Sequence, residues 1–379
     1  MPRPRHFKRS LLWIGFWVLF SSPAAALNIR VGLHQDASSI TVGSSTPADL
    51  VDGRGVSLGQ LPALQGFSAS TTQGGVSLGG KRAGQITLKA KDNGFVYVGD
   101  HWYRGHVRLL RGYGGLTVIN DLNLEDYLAS VIGKEMYPTW PMEALKAQAV
   151  ASRSYALYRK QYPKYKLFDV LSTTSSQVYA GLDAEANSTQ EAVKATSRQI
   201  LTHQGKVIEA VFHSSSGGHT ENSEDVWMKP VSYLRGVPDF DQSAPVYQWT
   251  LNLTADRLRK RITGIGDIIS MSPVKASATG RIQTIKVQGS KGDRLMKGKE
   301  IRAALGLKST LFAAQPQFSP VAATPGTKTK PSGFLINGRG SGHGLGMSQW
   351  GAHGLASQGK TYREILAHYF KGITIQPMD

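Results

Sequence analysis

The chain has 379 residues, is 40% hydrophobic and 18% charged, carries a formal charge of +18 and contains no cysteine. This composition supports one large domain or two medium ones with a real core, and it excludes a disordered or fibrous protein. The lack of cysteine excludes a thiol nucleophile, a CxxC redox pair and a Cys-rich zinc finger.

Residues 1–26 read as a signal peptide: the basic "MPRPRHFKR", the apolar run Leu11 to Phe20, then "SSPAAA" with small residues placed for cleavage after Ala26. The apolar run is about half the roughly 20 residues that a membrane span needs. An exported protein of the periplasm or cell wall is therefore expected, with membrane contact only through this segment if it stays uncleaved. Arg3, Arg5, Lys8 and Arg9 leave with it, taking the formal charge from +18 to +14. For an exported protein so basic, the expected partner is a polyanionic wall surface and not nucleic acid.

Residues 27–120 form a β-rich region. "LNIRVGL", "ITLKA", "GFVYVG", "WYRGHVRLL" and "GLTVIN" alternate or cluster apolar residues between glycine-containing turns. The Gly/Ser-rich stretch Ser44 to Gly84 reads as loop. Helices begin with "LNLEDYLASVIG", where Asn123 is the expected cap and Leu124, Tyr127, Leu128, Val131 and Ile132 form one stripe. Pro141 opens the next helix. Its two faces carry Met142, Leu145, Ala149, Ser152 and Ala156, and Ala144, Ala147, Ala151 and Tyr155, a pattern for close packing on both sides. Further on, a helix near Ser188 to Ser197, strands "QILTHQ", "VIEAVFHSSS" and "RIQTIKVQG", and a helix "GKEIRAALGL" are expected. A loop insertion is expected at 313–332, followed by a strand "FLING", a glycine loop, a helix from Met347 and a helix "YREILAHYF" with Thr361 and Glu364 as capping box. The fold class is α+β: a β-rich N-terminal half, then mixed helices and strands forming a substrate cleft.

Three stretches carry candidate chemistry. Glu135 follows the first helix, where the helix dipole disfavours a negative charge, and Met136, Tyr137 and Trp140 offer apolar surroundings. Both effects favour the protonated form that a general acid requires; the alternative is a surface glutamate paired with Lys134 or Lys146. In "GRGSGHGLGMSQWGAHG", glycine recurs at every second place from Gly338 to Gly346, implying a closely approached backbone, and Ser341, His343, Ser348 and Gln349 are candidates for gripping a sugar. The alternative is a structural turn. In "HSSSGGHTENSEDVW", His213 and His219 with Asp225 or Glu221 are candidate metal ligands, or the polar residues line a groove.

Together these stretches resemble the SpoIID/LytB family, named for a sporulation cell-wall enzyme and an amidase enhancer. The matching segments are "LNLEDYLASVIGKEMYPTWPMEALKAQAVASRSYAL", "FHSSSGGHTENSEDVW", "IRAALGLKSTLF" and "GRGSGHGLGMSQWGAHGLASQGKTYREILAHYFKGITI", in the family's order. The resemblance implies a catalytic domain over 121–379, peptidoglycan glycan strands as substrate and a cell-wall amidase as a further partner. It makes Glu135 the acid/base of a lytic transglycosylase that cleaves between N-acetylmuramic acid and N-acetylglucosamine, with Ser215, Arg153, Ser341, His343, Ser348 and Gln349 as substrate contacts. The other reading it allows is a non-catalytic enhancer of an amidase. The transglycosylase needs no cofactor. Some members hold zinc through one His and two Cys in the region matching His213 to Asp225; this chain, lacking cysteine, offers His213, His219 and Asp225.

Overall fold

A computed structural model describes residues 27–318 and 330–378. The expected signal peptide lies outside the described residues, as does the middle of the expected 313–332 insertion. Among the described residues no helix is long and apolar enough to cross a membrane.

The β-rich expectation for 27–120 holds, and it extends through the stretch read as loop. Strands Ala48–Asp52, Ser57–Leu61, Phe67–Thr72, Gly75–Leu78 and Lys81–Ala83 occupy most of Ser44 to Gly84. They complete a seven-stranded and a six-stranded sheet. Only a few apolar side chains anchor them, Leu50, Ala69, Val76 and Leu78 among them, all fully buried. The Ser, Thr and Gly between those anchors hide the two-residue period.

Leu116–Asn123 is paired in the seven-stranded sheet with Asn28–Ala37 on one side and His106–Arg111 on the other. It leads directly into helix α1, Leu124–Glu135, whose cap Asn123 accepts a hydrogen bond from the Glu125 backbone N–H. The anticipated stripe is the buried face. Helix α2, Met142–Gln161, follows from Pro141, and every residue from Ala144 to Ala156 except Lys146 is buried. Small side chains let α1, α3 (Asn187–Ala195), α7 (Gln349–Ser357) and α8 (Tyr362–Tyr369) pack around α2. One hydrophobic core runs from Ile29 in the first strand through α1 and α2 to Phe370 after α8.

A second core is built within residues 248–339. Strands Gln248–Thr254, Gly333–Arg339 and Phe312–Gln317 form one three-stranded sheet, and Ile268–Ala276, Ile282–Gly289 and Gly292–Lys297 another. Helices α5 (Ala255–Arg261) and α6 (Gly298–Leu305) add Leu258, Ile301 and Leu305 to this core. The short α4, Ser223–Trp227, precedes it. Phe312–Gln317 is strand where loop was expected, and of "VIEAVFHSSS" only Phe212–His213 forms a strand beyond the end of the short strand Lys206–Val207, with Ser215 in an isolated bridge to Ser341.

Arg153, expected at the substrate, is instead a core residue and 0% exposed. Its Nε and Nη2 donate to the two carboxylate oxygens of Glu125 on α1 at 2.8 and 2.6 Å, and it also donates to the Gln199 and Val193 carbonyls. A substrate has no route to it. Arg153→Ala strands these acceptors and is expected to cost about 3 kcal/mol of stability in urea denaturation, the scale for breaking a buried pair. An unchanged midpoint would count against a structural role.

Candidate active site

Glu135 is the last residue of α1, and the chain leaves the helix at Met136, whose N–H returns to the Ile132 carbonyl. Met136 is buried and anchors the exit, while the Glu135 carboxyl stands half-buried at the helix end. Neither Lys134 nor Lys146 pairs with it: Lys146 binds Glu143 instead. Two N–H donors hold the carboxyl, the Val178 backbone at 2.9 Å on Oε1 and Gln349 Nε2 at 2.9 Å on Oε2. Burial raises the carboxyl's pKa above the ordinary glutamate value, and the two hydrogen bonds, which favour the ionised form, offset only part of that rise.

An aromatic wall stands next to this carboxyl in the chain and beside its partner Gln349. Trp140 and Trp350 meet with ring centroids 4.7 Å apart, Tyr137 lies 5.5 Å from Trp140 and 6.3 Å from Trp350, and His353 closes the group 4.8 Å from Trp140. Tyr137 remains 60% exposed. The exposed Tyr137 ring, with the partly buried Trp140 and Trp350 beside it, offers an aromatic face of the kind on which the apolar face of a sugar ring can lie. Tyr137 and Trp140 were anticipated; Val178, Trp350 and His353 were not. The one sequence signal for Trp350 is its place directly after Gln349.

Gln349 is the one expected contact that the structure brings to Glu135. Ser348, fully buried, caps α7 by accepting from the Gly351 N–H at 3.2 Å. Ser215 is also fully buried, its hydroxyl donating to Asp241 at 2.5 Å, and its backbone is bridged to Ser341. Neither side chain is open to a sugar. The glycine loop is closely approached, as its spacing implied, but the approaching atoms belong to the protein. Gly342 (φ +118°) and Gly344 (φ +83°) turn with backbone angles that favour glycine, and a Cβ there would meet His213 Cβ at 2.6 Å and Arg281 Cζ at 2.7 Å.

His343 therefore lies against His213, ring centroids 5.2 Å apart. His343 Nδ1 accepts from the Leu345 N–H, and His213 Nδ1 donates to the Leu345 carbonyl, both at 3.0 Å. Burial, aided by Arg281, pushes His343 down to about 4, so the ring is neutral at pH 7. No hydrogen bond connects this pair to Glu135. His219 Nδ1 donates to the Thr220 carbonyl at 2.6 Å, and Asp225 accepts from Gln283 at 2.9 Å. Among the described residues no three His, Asp or Glu side chains converge in a way that would hold a metal ion, so His213, His219 and Asp225 as arranged do not fit zinc. Incubation with a chelator is accordingly expected to leave the melting temperature unchanged; a fall would point to a metal at His213.

Residues 112–203, which include Glu135, match the family described as stage II sporulation protein (SpoIID), and residues 229–346 match a domain of unknown function (DUF8618) that overlaps the second core. An uncharacterized protein of Brachyspira hyodysenteriae is 37% identical over 291 residues, 76% of each chain. Stage II sporulation protein D of Bacillus subtilis is 30% identical over 286 residues, 69% of this chain and 76% of that one. The amidase enhancer of Bacillus subtilis is 30% identical over 290 residues, which cover 65% of this chain and 40% of the enhancer. With 30% identity over three quarters of the sporulation protein, the chain belongs to the SpoIID/LytB family.

Proposed function

We propose that this is an exported lytic transglycosylase that cleaves peptidoglycan glycan strands between N-acetylmuramic acid and N-acetylglucosamine, with Glu135 as acid and then base. The observation that carries the reading is a single half-buried carboxyl, raised in pKa by burial, held by two N–H donors and flanked by an aromatic wall. The protonated carboxyl gives its proton to the glycosidic oxygen as the bond to the muramic anomeric carbon breaks. The leaving sugar departs with a free hydroxyl, and positive charge develops at the anomeric carbon and ring oxygen. The carboxylate, now ionised, removes the proton from the muramic residue's own primary hydroxyl, whose oxygen closes the anhydro ring. Glu135 ends protonated, so one carboxyl completes the cycle without a second acid or an attacking water.

Gln349 and Val178 set the carboxyl's orientation and keep its pKa from rising further. Activity falls as pH rises through the Glu135 pKa, because the acid is lost. Gln349→Leu removes a hydrogen bond to the ionised form and raises that pKa, so the alkaline limb of the pH–rate profile moves to higher pH. An unmoved limb would mean that another group titrates.

Purified glycan, with and without stem peptides, digested by the wild type and Glu135→Gln and read by mass spectrometry, tests the proposal. Anhydro-muramic ends made only by the wild type support it. The second reading, a non-catalytic wall binder that stimulates a separate amidase, is favoured by the likeness to the amidase enhancer. It predicts no cleavage by either protein, with glycan binding and amidase stimulation intact in both.

A further inference from the structure

A cleft of about 1090 Å³ lies apart from Glu135, between α4, the glycine loop and the second core. None of its lining residues belongs to the aromatic wall or holds the Glu135 carboxyl. Five cations line it: Lys275, Arg281, Lys297, Lys299 and Arg302, the last three at or on α6, whose N-terminus opens into the space. Among the described residues no carboxylate pairs with Lys275, Lys297, Lys299 or Arg302. Arg302 gives its one hydrogen bond to the Leu307 carbonyl, and its guanidinium is depressed by burial alone. Arg281 is 3% exposed and lines the cleft with Nη1 unpartnered; Nη2 donates to the Ser216 carbonyl, and Nε faces Glu221 at 3.2 Å. A buried guanidinium nitrogen without an acceptor is costly unless a ligand supplies one.

We propose that this cleft binds a short acidic peptide, with carboxylates directed to Arg281, Arg302 and Lys299. Two features select a peptide over a densely charged phosphate chain. Asp225 on α4 lines the same cleft with no cation among the described residues paired to it, so it would repel a polyphosphate while it suits a ligand that also carries an amino group; Glu224 beside it is already taken by Arg235. Ile282, Ala303, Leu307 and the exposed Trp227 and Met228 give the cleft apolar surface for aliphatic side chains. The volume lies just above the range of small-ligand sites, roughly 300 to 1,000 Å³, and so leaves room for a short peptide. Such a peptide is available free or, on the reading of Glu135 given above, attached to wall glycan. The site itself does not depend on that reading.

NMR or calorimetric titration of the full chain and of its Glu135→Gln variant with the tripeptide Ala-Glu-Ala tests the proposal. Ala-Gln-Ala amide, tripolyphosphate and a glycan fragment bearing stem peptides serve as the other probes. Saturable 1:1 binding of Ala-Glu-Ala by both proteins is expected, with none of the neutral amide. Binding should weaken at least about tenfold in Arg302→Gln with Lys299→Gln, the loss of hydrogen bonds to charged groups. It should be unchanged in Lys81→Gln with Arg82→Gln, which removes the same charge from an exposed strand of the N-terminal sheets. Tighter binding of the peptide-bearing fragment than of the free peptide would identify the glycan-borne source, and the reverse the free one. Three results would overturn the proposal: no saturable binding of any peptide probe, equal losses in both double variants, or tripolyphosphate binding more tightly than peptide.

Discussion

Glu135→Gln is expected to lower the rate of glycan cleavage by about 10³-fold or more while leaving glycan binding within a factor of two or so. A positioned general acid contributes roughly 10² to 10⁴ in rate, and in the proposed reaction one carboxyl serves both proton transfers, so the upper part of that range applies. The amide is nearly isosteric. Its oxygen still accepts from the Val178 N–H, and the Gln349 amide can turn its own oxygen toward the new NH₂ group, so the aromatic wall should stay in place. Melting temperature separates loss of chemistry from loss of fold: the variant should melt at or above the wild-type temperature, since a carboxyl whose burial opposes ionisation has been replaced by a neutral group. A variant that still made anhydro ends at more than a tenth of the wild-type rate would sink the assignment of Glu135.

Much of what places Glu135 was readable in the sequence because it is local. The α1 stripe, the Asn123 cap and the Thr361–Glu364 capping box depend on residues within one or two turns of each other, and all form as spaced. The apolar company of Glu135 was visible because Met136, Tyr137 and Trp140 follow it directly. The other half of the site comes from afar. Gln349 is 214 positions from Glu135 and Val178 is 43, and no spacing rule joins them. Gln349, Ser215 and Ser348 are polar in the sequence, but type does not say whether a hydroxyl faces a groove or a buried aspartate. The five-glycine spacing likewise announced a close approach without saying whose atoms approach. In Ser44 to Gly84, strand pairing rests on backbone hydrogen bonds and sparse anchors, so periodicity failed where burial was thin.

Gly133→Ala is expected to be among the most damaging single-methyl changes in the chain, despite favouring the helix. Alanine in place of glycine within a helix gains up to about 1 kcal/mol from propensity. Against this, a Cβ at position 133 would sit 1.8 Å from the Ala184 carbonyl oxygen, in the short 3-10 turn Gly181–Ala184 that packs on α1. Backbone on both sides must part by more than an ångström to restore contact distance, and overpacking of this kind costs typically 1–3 kcal/mol and occasionally more. The clash wins, and a net loss of about 2 kcal/mol is expected in urea denaturation. The same displacement acts on catalysis, because Glu135 is two residues further along α1. A shift near 1 Å in a catalytic group can cost on the order of 10²-fold in rate, so cleavage should fall even at temperatures where the variant is fully folded. Gly84→Ala is the control: nothing lies within 4 Å of the added methyl, and both stability and rate should hold. Equal behaviour of the two variants would show that α1 can move off the turn without moving its carboxyl, and that the tight fit at Gly133 does not position the site.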